Sequence, residues 1–395
     1  MKDTAPIEFP TQEAMQIDLI EMFRGAVRLA LEAILEQQVR DMVGGGKWQR
    51  LSNRRDLRNG SYFRRLLTSM GLVEVRVPRT RESGSPVEVF GRYRRRQSEV
   101  DEAIAQAYVN GVSTRGMGDV TEALLGETVD RSTVSRVTKR LDDQVEQLRK
   151  APITDTFPYL FLDGTFLDAR WARKVENVSA LVAYGVNSNG DRRMLAVTIG
   201  SEESEESWTE LIRQLIDRGL RGVDLVVADA HAGLAAAVRH HFPEARQQRC
   251  VVHFLRNILA KVPHRLQARL ARELSPLFKA GSLVEAKRRL EDLRHRFVKH
   301  VPEAIAILDA GFPAATQFYA FPRSHWRKIR STNGLERLNA EIKRRIRSVG
   351  AFPDRASALR LITAVVLRAT RSWATRRYLG DMRVHRKEQE LKQAA

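Results

Sequence analysis

Two short apolar runs end on aspartate: "PYLFLD" stops at Asp163 and "VDLVVAD" stops at Asp229. A buried carboxylate needs a partner charge, a metal or solvent, so these two positions constrain the fold more than any other feature. The first run reads as a strand over 158–163. Two more strand-like stretches, 177–186 and 192–200, are joined by "NSNGD" (187–191), whose Asn-Gly pair signals a tight hairpin. Ser204 followed by Glu205 and Glu206 opens a helix over 204–219, because acidic groups favour the positive end of a helix dipole. Three antiparallel strands thus lead into a helix and then into a strand, 223–228, added in parallel to the first. A helix over 232–241 and a short strand at 247–252 follow. This order sets Asp163 and Asp229 side by side on neighbouring strand tips.

Two carboxylates at close range repel, and one keeps a proton unless a cation intervenes. Mg²⁺ or Mn²⁺ resolves the conflict, since hard cations take carboxylate and water oxygens. The plainer readings are a turn at Asp163, which precedes Gly164, and a helix N-cap at Asp229. A third acid stands in "STNGLERLNAEIKRR". There Leu335, Leu338, Ile342 and Ile346 form a core stripe, and Glu336, Asn339, Lys343 and Arg347 an adjoining one. An acid, an amide and two cations on one strip suit a metal beside phosphate. The competing reading is a capping box, with Asn333 reaching forward and Glu336 reaching back. "CVVH" places Cys250 and His253 at half a zinc-site spacing, but the chain has one cysteine. A structural zinc needs four ligands, so Cys250 reads as a buried strand-end residue and His253 as a helix-start residue near the acids.

The net charge of +19 is concentrated. Residues 47–96 hold 14 Lys/Arg against four acids, and residues 323–347 hold nine against two. Two concentrated patches point to a polyanion, most simply nucleic acid. No apolar run approaches the roughly 18 residues of a membrane span. "MKDTAPIEFP" has no signal-peptide core, and a lone cysteine suits a reducing cytoplasm. A long helix over 11–43 carries more apolar positions than a solitary surface helix needs, so it packs on a partner or a second subunit. In the basic stretch "LVEVRVP" (72–78) and "PVEVFG" (86–91) alternate like a hairpin, with Tyr62, Phe63 and Tyr93 near it. Three short helices over 99–150 form a helix-turn-helix pattern, the last one presenting Arg136 and Lys139. Residues 254–325 read as helical with a break around Gly311-Phe312-Pro313, and helices at 334–347 and about 354–377 follow.

Taken in order and spacing, "FLDGTFLDAR", "VVADAHAGL", "CVVH" and "STNGLERLN" resemble the motifs of the Mutator-type family of bacterial insertion-sequence transposases. The resemblance implies an α/β chain: a ribonuclease H-like mixed sheet with flanking helices, interrupted by an all-helical insertion and preceded by a largely helical DNA-binding region. Its parts would be an oligomerisation helix (1–46), a basic hairpin region (47–98) and a helix-turn-helix-like module (99–150). The first part of the core (151–253), the insertion (254–325) and the second part of the core (326–395) would follow.

The resemblance makes Asp163, Asp229 and Glu336 the catalytic acids and the ligands of Mg²⁺ or Mn²⁺, two ions in all. Arg136, Lys139, Arg327, Lys328, Asn339, Lys343, Arg344 and Arg347 would hold double-stranded DNA. Cys250, His253 and Asn333 would support the site, and Trp326 would either stack on an exposed base or serve as a core tryptophan. Cleavage at element ends and strand transfer would follow, by a homodimer or larger assembly associated with the nucleoid. Two alternatives stay open: another ribonuclease H-like nuclease, such as a junction resolvase, and a non-catalytic helix-turn-helix regulator.

Overall fold

The structure, a computed structural model, describes residues 12–49, 52–84, 95–171, 174–200, 203–380 and 382. It divides into two units, Met1–Arg140 and Leu141–Ala395. Among the described residues no helix is long and apolar enough to cross a membrane.

The first unit opens with α1 (Gln12–Val43), then a hairpin of β1 (Arg58–Thr68) and β2 (Gly71–Thr80). Leu35, Val39 and Val43 recur every four residues on α1 and are buried. Leu35 packs with Val73, Val75 and Val77, which alternate along β2 and so share one face of the hairpin. Farther up the same helix Leu29 is 64% exposed and Met22 60% exposed, so among the described residues much of its apolar surface is left open. The hairpin differs from expectation. β2 covers the expected strand 72–78, but its partner is β1, through Leu66↔Val73 and Thr68↔Gly71. The run of arginines in β1 hid its strand character. The expected partner 86–91, together with Tyr93, lies outside the described residues.

Helices α2 (Ser98–Val109), α3 (Gly116–Leu125) and α4 (Arg131–Thr138) follow. They share a core that includes Ile104, Met117, Val134 and Val137. Asp130 caps α4 by accepting from the Thr133 N–H at 2.9 Å. The last helix expected of the module, "DRSTVSRVTKRLDDQVEQL" (130–148), is broken by a 3₁₀ turn at Lys139–Leu141. Its second half, α5 (Asp142–Lys150), belongs to the second unit, where Arg360 grips Asp142 at 2.6 and 2.9 Å.

The second unit is built on a five-stranded sheet. Its strands are β3 (Tyr159–Trp171), β4 (Lys174–Val186), β5 (Arg192–Gly200), β6 (Leu225–Ala228) and β7 (Arg246–Arg249), in the order β5-β4-β3-β6-β7. β3, β4 and β5 are antiparallel, and β6 and β7 are added in parallel. This is the ribonuclease H-like mixed sheet. Asn187 shapes the β4–β5 turn by accepting from the Asn189 and Asp191 N–H groups, with Gly190 at φ +87°. Helix α6 (Glu205–Asp217), capped by Ser204, and α7 (Ala232–His241) pack on one face, where Leu160 and Leu162 meet Trp208, Leu211 and Leu234.

Residues 251–315 form α8 (Val251–Leu259), α9 (His264–Leu277), α10 (Leu283–Phe297) and α11 (Pro302–Ala315). α11 runs through the break expected at Gly311-Phe312-Pro313, with Pro313 inside its last turn. The chain then forms α12 (Trp326–Ile329), α13 (Asn333–Val349) and α14 (Arg355–Thr370).

Candidate active site

β3 does not stop at Asp163 as the sequence pattern implies; it runs eight residues further, paired throughout with β4. The parallel pairing with β6 covers only Tyr159–Phe161 against Leu225–Val227. Beyond that point the two strands no longer bond, and Asp163 and Asp229 each follow two residues later. The crevice at the carboxyl ends of parallel strands is where α/β sheets place ligands. Alternation along β3 sends Leu160 and Leu162 to the α6 face and leaves Phe161 and Asp163 on the other, where Phe161 stacks on Tyr184 at 4.4 Å.

From that second face α13 contributes Asn339, whose side-chain amide donates to Asp163 Oδ2 at 2.8 Å. Asp163 is only 7% exposed. Burial pushes its carboxyl up to about 7, opposed by the His253 charge and the Gly164 N–H and helped by the Asp229 and Glu203 charges. His253 stands among the acids. Its Nδ1 lies 3.7 Å from Asp229 Oδ2, and its Nε2 lies 3.5 Å from Glu336 Oε1. A hydrogen bond with Cys250 raises the imidazole to about 9, against burial, and the Asp229 and Asp163 charges add to this. Arg256, one turn along α8, reaches Glu336 Oε1 at 3.1 Å. The three acids expected from sequence therefore face one histidine, whose pKa Cys250 and the nearby carboxylates hold above its ordinary value. Among the described residues no three His, Cys, Asp or Glu side chains enclose an ion as they stand.

The competing readings of the acids meet specific geometry. Asp229 does not cap α7, whose N-cap is His231; its Oδ1 accepts from the adjacent Ala230 N–H. Asn333 and Glu336 do not form a capping box. The N-cap of α13 is Thr332, and no side chain caps it. The Thr332 hydroxyl instead lies 3.2 Å from Cys250 Sγ, and the Thr332 N–H 3.4 Å from it. The Val251 N–H also donates to Arg330 O at 3.0 Å. The Cys-x-x-His segment thus pins the start of α13, which sets Glu336 opposite His253. Burial raises the Cys250 thiol, but the hydrogen bonds with His253 and Thr332 outweigh it and leave the thiol below its ordinary value.

Other expected residues fall in several places. Asn339, expected among the DNA contacts, is 9% exposed, and its amide is engaged by Asp163. Trp326 is placed as a packing residue, its indole N–H donating to Phe321 O at 2.7 Å and its ring set edgewise to Phe318 and Tyr319. Lys343 and Arg347 are exposed on α13, while Arg344 is held by Glu341 at 2.8 and 2.9 Å. Arg327 and Lys328 lie on α12, and Arg136 and Lys139 are exposed on α4 and its C-cap. Asp168 is exposed and accepts from Asn177 at 3.0 Å, away from the acids.

Sequence reasoning missed Arg256 and Glu203. Arg256 stands three residues after His253, a helical spacing that marks it. Glu203 has no such mark. Its carboxylate comes so close to Gly164 that a Cβ there would sit 3.0–3.1 Å from it. Burial raises its pKa, the His231 charge opposes this and Asp229 adds to it.

The family model "Transposase, Mutator family" matches residues 4–376. The chain is 36% identical over 94% of its length, and 94% of the relative's, to the transposase for insertion sequence element ISRM5 of Rhizobium meliloti. It is 35% identical, over 88% of this chain and 90% of the relative, to the transposase for insertion sequence element IS256 in transposon Tn4001 of Staphylococcus aureus. Among solved structures it is similar to the Drosophila P element transposase strand transfer complex at TM-score 0.30 and 11% identity, over 71% of this chain and 82% of that one, too remote to carry any residue across. A match over nearly the whole chain, on a sheet that gathers its motif residues around one histidine, shows that this protein belongs to the Mutator family of transposases.

Proposed function

We propose that this chain moves an insertion sequence by nicking DNA at the element's ends and joining the freed 3′ ends to target DNA. The observation that carries the reading is the meeting of Asp163, Asp229 and Glu336, from β3, the end of β6 and α13, around His253. Asp163, Asp229 and Glu336 would hold Mg²⁺ or Mn²⁺, as two ions. The donor set fits: all three are hard oxygen ligands, Asp163 is buried, and Asn339 Oδ1 beside it is buried without a hydrogen-bond partner among the described residues. When bound, such ions supply charge stabilisation at the attacking and leaving oxygens of an in-line phosphoryl displacement.

The chain's own groups do the rest. Asn339 holds Asp163 in one rotamer. Cys250 and Thr332 hold the start of α13. His253 and Arg256 give the acids a countercharge, so their contacts to Glu336 would yield on metal loading. The exposed Lys343 and Arg347 of α13 meet backbone phosphates, which position DNA without reading it. In the first unit the exposed Arg136 and Lys139 of α4 suit a DNA groove. Two element ends brought together need at least two copies, and the open apolar face of α1 suits a second subunit.

The test is Mg²⁺-dependent nicking of element-end DNA by Asp163→Asn, Asp229→Asn and Glu336→Gln proteins. Each is expected to bind DNA and not cut it. Near-normal cleavage by the Glu336→Gln protein removes Glu336 from the site. Cleavage of junctions in preference to element ends turns the reading to a resolvase.

A further inference from the structure

α13 carries a second surface that the acid site does not use. At 100° per residue, Glu336 and Asn339 lie on one side of this helix, Gly334, Arg337 and Leu338 lie on the other, and Asn333 stands between. The last four line a cavity of about 660 Å³ within the second unit. Six cations come to it from separate parts of the chain: Arg192, Arg327, Lys328, Arg337, Arg376 and Arg377, and among the described residues no Asp or Glu lines it. Like charges gathered without an acid repel, and the strain is visible at Lys328, where burial and then the Arg327 and Arg192 charges lower the pKa. Six such groups held together call for an anion of high charge.

The cavity is built rather than accidental. The Arg192 guanidinium lies 4.2 Å from the centroids of both the Trp373 and the Tyr378 rings, and the Lys328 ammonium lies 4.7 Å from that of Tyr378. Stacking of this kind orients a guanidinium and weakens its hold on water. Arg192 Nε is buried without a hydrogen-bond partner among the described residues. The aromatic rings are already covered by cations, so they offer little to a base; what the cavity presents is positive charge.

We infer that this cavity holds backbone phosphates of the DNA strand, on the side of α13 away from the acids, and so clamps the substrate at a point other than the scissile bond. The inference rests on the transposase reading above. Phosphate is the shared chemistry of DNA and of free polyphosphates. DNA is favoured because the cations are spread over several elements around an open space, rather than focused on one phosphate.

The experiment compares the full-length parent with an Arg327→Ala/Arg337→Ala/Arg376→Ala protein, binding an element-end duplex and an unrelated duplex over a range of salt, without divalent metal. Removing three phosphate contacts lowers the slope of log affinity against log salt by about 2.7. The loss of affinity at low salt is expected to be tenfold or more, the same for both duplexes. A triple-Lys counterpart keeps the slope, and melting curves confirm that both variants fold. An unchanged slope in the Ala variant overturns the inference, whereas cutting by Glu336→Gln overturns only the catalytic reading. Inorganic triphosphate supplies the last arm. If it raises the parent's melting temperature but does not compete with DNA, the cavity belongs to a small phosphate ligand and the DNA clamp is wrong.

Discussion

The two sides of α13 are opposites in charge and in how their groups are held. On one side Asp163 is buried and held by the Asn339 amide and the Gly164 N–H, with burial raising it to about 7. On the other, cations are half-buried or exposed, and two of them lie over aromatic rings. The acid side stores an unmet demand for positive charge in a tight place, which suits chemistry at one atom. The basic side offers positive charge over a wide space, which suits grip on a polymer. One helix places both, so a strand gripped on one side is registered against the acids on the other.

The comparison breaks most sharply at Asp163. If the acid side supplies chemistry and the basic side only grip, Asp163→Asn removes several kcal/mol of transition-state stabilisation, roughly a thousandfold or more in nicking rate, with DNA affinity within a few-fold of the parent. Single-turnover nicking and anisotropy titration measure the two.

The same substitution sharpens the charge argument through stability. A carboxyl whose folded pKa is raised contributes stability that is full below the unfolded value, 3.8, and is lost as pH rises through about 7. The Asp163→Asn protein, free of metal, escapes that loss. Its gain in melting temperature over the parent should widen from pH 4 to pH 7 and then level off. The upper bound is about 4 kcal/mol, or several degrees. A gap that does not change with pH shows that Asp163 is not strained by burial.

Next in size is Asn339→Ala, which leaves Asp163 without its orienting donor. Groups that orient a ligand are worth roughly 10–100-fold in activity or metal affinity. The expected signature is a higher Mn²⁺ requirement for nicking with unchanged salt dependence of DNA binding; a changed salt slope instead returns Asn339 to the DNA-contacting group. Smallest is Thr332→Val, which removes the hydroxyl facing Cys250 and costs about 1 kcal/mol in thermal or urea unfolding. A fall in nicking larger than that stability loss shows that the Cys250–Thr332 contact aims Glu336.

Much of the second unit is legible in the sequence because its signals are local. The Asn-Gly turn, the Ser204 cap and the apolar runs of β3, β4 and β6 each act over a few residues, and the elements form close to where their patterns place them. The first hairpin was half legible: Val73, Val75 and Val77 alternate plainly, whereas β1 hides behind charge. The end of β3 was misplaced because Asp163 looks like a stop, while pairing with β4 carries the strand past it. Glu203 was invisible because only the fold brings it to Gly164.

The sequence by itself determined which acids stand at the ends of which apolar runs, the order of strands and helices, and the excess of positive charge. Those follow from periodicity, turn chemistry and composition, which need no knowledge of distant partners. Only the tertiary structure decided that the Asn339 amide meets Asp163 and that the Thr332 hydroxyl faces Cys250. It alone gathered arginines 192, 337 and 376 into one cavity. The first two contacts join residues 176 and 82 positions apart in the chain, and the three arginines stand 39 to 184 positions apart. No local pattern encodes them, because such pairs meet only after the strands and helices that carry them have packed.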